Sequence, residues 1–104
     1  MDDEPFSAHR DAGSGRLLVG GVIDERATAD FRDALRAATE DYTEPAVVDL
    51  TAVTLMPSLA VGVLLGAMAR APGTRVEVEP GSIAHRALEV LGLDEYAREG
   101  RAAG

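Results

Sequence analysis

Between Val47 and Arg70 the chain reads VVDLTAVTLMPSLAVGVLLGAMAR. An apolar run ends at Met56-Pro57, a single serine follows, and a helix-like segment then carries no charge until Arg70. The layout is strand, turn, Ser58 at a helix mouth, apolar helix. A helix that covers a sheet needs an apolar stripe on only about half its circumference, and the remainder is normally polar. This one is apolar all round, so its outer half must meet either flanking helices or another molecule. Gly62 and Gly66 are four apart and share one face. Each costs ~1 kcal/mol relative to alanine inside a helix, so the pair predicts close packing against a sheet or a second helix. The mouth itself is positively polarised, and an anion attached to Ser58 would sit where anions are favoured. The bland reading of Ser58 is an N-cap whose oxygen satisfies an orphan N–H.

The flanking sequence supplies the rest of an α/β pattern. Phe6 to Asp11 reads as a short edge strand, and Gly13-Ser14-Gly15 as the turn into a second strand over Arg16 to Ile23. The Gly20-Gly21 pair marks a bulge or a close backbone approach there. Phe31, Ala34, Leu35 and Ala38 fall at helical spacing and predict a first helix over Ala29 to Glu40, with Thr28 as its N-cap. Asp41 to Pro45 breaks it. Ala46 to Leu50 is a mostly apolar strand. Thr51 to Thr54 reads as a connector, and Leu55-Met56 as a short extended piece before Pro57. Ala71-Pro72-Gly73 ends the apolar helix. Thr74 to Glu79 alternates as a half-exposed strand. Ser82 caps a third helix over Ile83 to Leu91, with Gly92 as its stop. Leu93 to Ala97 reads as one further turn, and the tail 98–104 as disordered. The order ββαβαβα implies one part-parallel sheet in a single domain spanning 1–104, with its core at about 6–96.

Composition narrows the chemistry. A chain of 104 residues with 46% hydrophobic and 4% aromatic residues must fill one core with Leu, Val and Ala. It has no cysteine, which removes disulfides, thiolate metal sites and thiol catalysis. No h-region of a secretion signal is visible at the start. The run Leu59 to Ala69 falls short of the ~20 residues that a membrane span needs. The expected location is therefore the cytoplasm. A net charge of −8 argues against nucleic acid as a direct partner. All ten basic residues are arginine, while Lys, Asn and Gln are absent, a usage that fits a GC-rich bacterial genome.

Catalysis is hard to place. His9 falls in the edge strand and His85 on the third helix, both as surface residues. A phosphate-binding loop of the Walker type needs a lysine that the chain lacks. Asp24 and Asp49 stand near strand ends and would form an acid–base or metal-binding pair if they met, although such acids usually serve as caps. No cofactor, metal site or enzymatic activity is expected.

Four segments resemble the STAS family, the anti-sigma factor antagonists. Gly21-Val22-Ile23-Asp24 is similar to a strand ending G-E-[LI]-D. Val47 to Met56 resembles V-x-D-L-S-x-V-x-F-[IM]. Pro57-Ser58-Leu59-Ala60-Val61-Gly62-Val63-Leu64-Leu65 lines up with D-S-[ST]-G-L-G-x-L-L, and Arg86 to Asp94 with R-x-L-E-x-x-G-L-D. The resemblance implies a small mixed four- to five-stranded sheet with helices packed mainly on one side. It also implies partner switching with an anti-sigma factor, a serine kinase of ATPase fold, that phosphorylates the residue at Ser58. The implied contact set is Asp24, Pro57, Ser58, Leu59, Ala60, Val61 and Gly62. Pro57, Leu59 and Ala60 depart from the motif, as does Val22 at the acidic position before Asp24. Two readings therefore remain open. One is a phosphorylatable antagonist; the other is an interaction module without phosphorylation, whether a scaffold or a sensor of lipid or nucleotide. Assembly is open between monomer and homodimer.

Overall fold

The computed structural model describes residues 5–40, 46–90 and 97–99. Among these the order is β1 (Ser7–Arg10), β2 (Leu17–Val22), α1 (Glu25–Glu40), β3 (Val47–Leu55), α2 (Ser58–Arg70), β4 (Arg75–Val78), α3 (Ile83–Val90) and β5 (Ala97–Glu99). The expected ββαβαβα order is present, with a strand appended. The five strands lie in one sheet in chain order, β1 antiparallel to β2 and every later neighbour parallel. That topology decides where the helices go. Parallel strands joined in one direction by right-handed crossovers carry all their helices on the same face. The core therefore lies between one sheet face and α1, α2 and α3.

The first turn is built as its residues suggest. Gly15 adopts φ 75°, and the Asp11 carboxylate accepts from the Ser14 hydroxyl at 2.6 Å and the Ser14 N–H at 3.0 Å. These bonds hold the Asp11 carboxyl below the usual carboxylate range. Phe6 meets Phe31 edge to face, with ring centroids 6.4 Å apart, so the edge strand is held against α1.

The segment Val47–Leu55 is one strand of nine residues rather than a strand and a connector. The register explains why alternation hides it. Leu18 pairs with Asp49 but Gly20 pairs with Ala52, and Gly21 pairs with Val53 but Val22 pairs with Leu55. Twice, β3 advances one residue more than β2, so β3 carries two extra residues. Its inward side chains Val48, Leu50 and Val53, and Met56 just past its end, are all buried, and their spacing drifts off period two. At the first irregularity the Asp49 carboxylate accepts from Thr51 N–H at 2.9 Å and from the Thr51 hydroxyl at 2.6 Å. Gly20 serves close approach as expected, since a Cβ there would stand 3.3 Å from the Ala52 Cβ.

Helix α1 begins a turn earlier than predicted. Asp24, not Thr28, is its N-cap: the Asp24 carboxylate accepts Ala27 N–H at 2.8 Å. Thr28 is buried inside the first turn, its hydroxyl donating to the Asp24 carbonyl at 2.8 Å. Ser82 does cap α3, accepting His85 N–H at 3.1 Å, and His85 Nδ1 accepts Gly81 N–H at 3.0 Å in return. Gly73, at φ 98°, follows the end of α2.

Two expectations for the C-terminal end need correction. Ala97 is in a strand rather than a helical turn, and that strand takes in Arg98 and Glu99 of the expected tail, which pair with Glu77 and Val78 of β4. The reason is the free edge of β4, whose backbone groups require partners. The expected break at 41–45, the Gly92 stop and the remainder of the tail lie outside the described residues.

The α2 stripe Ala60, Val61, Leu64 and Ala67 is fully buried, whereas Leu59 and Leu65 on the same helix are exposed. Leu64→Ala should lower the unfolding free energy by about 2–5 kcal/mol. Leu65→Ala should change it by about 0.5 kcal/mol or less. Urea denaturation monitored by circular dichroism separates the two; equal losses would contradict this division of the helix.

Candidate functional site: the mouth and outer face of the second helix

Residue Pro57 occupies the N-cap of α2 with φ −72° and ψ 167°, and no side chain caps the helix. The expected N-cap role of Ser58 is therefore wrong. Proline presets the backbone just before the helix and has no N–H to satisfy. Its carbonyl accepts Ala60 N–H at 2.9 Å and Val61 N–H at 3.2 Å, starting the helix at Ser58. Ser58 is thus the first helical residue. Its side chain is exposed, and among the described residues its hydroxyl has no hydrogen-bond partner. Packing and capping leave this hydroxyl unexplained.

The outer face of α2 is open. Leu59 is 56% exposed and Leu65 37%, and Leu55, just before the mouth, is 45% exposed. The prediction that Gly62 and Gly66 pack closely against another element fails. A Cβ on Gly62 would meet nothing within 4 Å, and one on Gly66 would meet only the Arg70 guanidinium, at 3.8 Å. The glycines form the floor of a shallow groove of about 390 Å³, bounded by Ser58, Leu59 and Val63 on α2, by Arg70 at its last turn and by Arg32 from α1. The notion of a helix buried all round fails for the same reason. The flanking helices share the inner face of the sheet with α2 and leave its far side uncovered.

The predicted contact residues divide sharply. Ser58, Leu59 and Gly62 line the groove. Pro57 is half-buried at its mouth. Ala60 and Val61 are fully buried. They face the sheet because residues two and three positions past the helix start turn inward, so they support the surface without forming it. Asp24 leaves the sheet at the same end, since Ile23 N–H donates to the Leu55 carbonyl at 2.9 Å. It lines a separate groove with Phe6, Arg26 and Asp30. Sequence reasoning missed Arg32, Val63 and Arg70 as lining residues. Arg70 was visible as the charge that ends the apolar run, whereas Arg32 arrives from another helix and leaves no local signal.

The two carboxylates do not form a pair. Asp49 is level with Leu18, while Asp24 lies six residues further along past the end of β2, at ~3.3 Å of strand rise per residue. Each has a local role, one at a bulge and one at a cap. Among the described residues no group of three or more metal-ligating side chains could hold an ion. Nor is any helix among them long and apolar enough to cross a membrane.

A family model described as "Mlab, STAS domain" matches residues 6–98. The chain belongs to the STAS-domain family. Among solved structures it is similar to that titled "Structure of the Anti-Sigma Factor Antagonist SpoIIAA in its Unphosphorylated Form". The TM-score is 0.69 at 17% identity, covering 95% of this chain and 90% of that one. At that identity the likeness establishes the shared fold.

Because nothing fills the space over the glycines, Gly62→Ala should stabilise the isolated protein by about 0.5–1 kcal/mol through helix propensity alone. Gly66→Ala should behave alike. A loss of stability in denaturant titrations would show that the stripe is covered.

Proposed function

We propose that this chain is a regulator of the anti-sigma factor antagonist type, which binds an anti-sigma partner through the mouth and outer groove of α2. The partner is a serine kinase of ATPase fold, Ser58 is the phosphoacceptor, and the place of action is the cytoplasm. One observation carries the reading: the Ser58 hydroxyl is exposed and unbonded on the first turn of a helix whose outer half is open and apolar. The STAS membership and the SpoIIAA-like fold support it. In this proposal the chain acts as ligand and substrate rather than as catalyst.

The switch follows from charge and desolvation. Phosphate on Ser58 brings roughly −1.5 to −2 charge. The helix mouth accommodates it, because the first-turn N–H groups and the dipole favour anions. The fold is therefore retained. A partner that covers Leu59 and Val63 would have to strip water from the phosphate, and an unpaired buried charge is costly. Binding weakens without rearrangement of the protein.

A second reading has its own support. Pro57 removes one N–H beside the acceptor and holds the chain rigid there, and Leu59 makes the mouth more apolar. Both features favour an interaction module that docks by the same surface and is never phosphorylated. Incubation with candidate ATPase-fold kinases and ATP, followed by mass spectrometry of the Ser58 peptide, separates the two. For the switch, Ser58→Ala should bind the partner as wild type does. Ser58→Asp should bind about tenfold more weakly or worse, with an unchanged unfolding midpoint. Equal affinity of the two variants by calorimetry would contradict it.

A further inference from the structure

The groove on α2 has charged ends that its apolar lining does not require. Arg32 and Arg70 both border it, and no carboxylate does. Among the described residues neither guanidinium has a hydrogen-bond or ion-pair partner, whereas Arg16 is paired with Glu77 and Arg36 with Glu40. Among the described residues Arg26, Arg75 and Arg86 also have no such partner; what sets Arg32 and Arg70 apart is that both border one groove that holds no carboxylate. On α1 the positions one turn from Arg32 are Thr28, Ala29, Leu35 and Arg36, none of them acidic. On α2 the Arg70 side chain lies back along the groove, its Nη1 3.8 Å from where a Gly66 Cβ would stand. Two unpaired cations thus flank a strip whose floor is two glycines. Such a floor admits the backbone of a helix or the small side chains on its face.

We propose that the segment of the partner seated in this groove is an acidic amphipathic helix, with small and aliphatic residues against Gly62, Val63 and Gly66 and carboxylates paired with Arg32 and Arg70. The inference rests on the docking reading above and specifies the chemistry of what docks. Arginine suits the role, since its planar fork binds carboxylate bidentately and its stem packs along apolar surface. The protein's overall charge of −8 pulls the other way and would draw a basic segment to its surface. At physiological salt that field is screened beyond ~8 Å, so the two guanidiniums decide what enters the groove itself. Phosphate on Ser58 acts in the same sense: it places an anion at the mouth of a site that selects for anions, and so competes with the partner's carboxylates.

The test uses the full chain, labelled with 15N, and three synthetic helical peptides. The peptides share a leucine–alanine face and carry glutamate, serine or lysine on their flanks. The glutamate peptide is expected to shift the Gly62 and Gly66 amides and to bind there at least about fivefold more tightly than the lysine peptide. The double variant R32E/R70E, at two exposed positions, should reverse that order, and R32K/R70K should keep it. If the lysine peptide binds these amides as tightly on wild type, or R32E/R70E leaves the order unchanged, the inference is overturned. Equal binding of the serine and glutamate peptides would also overturn it, while leaving the docking surface itself intact. Silence of Gly62 and Gly66 toward all three peptides would overturn both.

Discussion

The packing of one narrow stripe decides most of this structure. Ala60, Val61, Leu64 and Ala67 expose no surface and seat α2 on the inner face of the sheet. Because the crossovers all run in one hand, α1 and α3 lie on that same face, and the protein has two layers. A two-layer arrangement leaves nothing above α2. Of its other apolar residues, Leu59 and Leu65 therefore face outward whatever their hydrophobicity, while Val63 and Met68 are half-buried against the core. The helix is apolar inside for stability; nothing in the described fold uses its apolar outside. An outward leucine beside an unbonded serine on the first turn is the feature on which the proposed docking surface rests.

The same stripe explains the tolerance for two mid-helix glycines. They lie on the outer side, so no core contact is lost with them. Their effect is to lower the helix surface by a side-chain layer between Arg32 and Arg70 and so to shape a groove. If the proposed docking holds, stability and binding are opposed at these positions. Alanine would strengthen the helix and fill the space into which a partner would fit.

Much of the fold was legible in the sequence because its periodicities are intact. Phe31, Leu35 and Ala38 marked the buried face of α1, and Val76 and Val78 marked β4 by clean alternation. The strand β3 was only half visible. Its two extra residues shift Leu50, Val53 and Met56 to a spacing of three, which reads as a loop to any argument from period two. The start of α1 was misplaced because Thr28 has the composition of a cap, although the Asp24 carboxylate reaches the third amide first. The strand β5 was missed because its pairing is set by the open edge of β4, twenty residues earlier in the chain, and not by local pattern.

For the site, Ser58, Leu59 and Gly62 could be found from sequence and Arg32 could not, since a groove between helices depends on how they cross. Ala60 and Val61 were expected at the surface because a motif records which residues recur and not which way they point. The most direct measurement of the central claim is the solvent accessibility of leucine and valine methyl groups, read by NMR with a soluble paramagnetic agent. The account predicts strong relaxation of Leu59 and Leu65 and protection of Val61 and Leu64. Comparable protection of all four would mean that α2 is covered on both sides, and the docking surface would be lost with it.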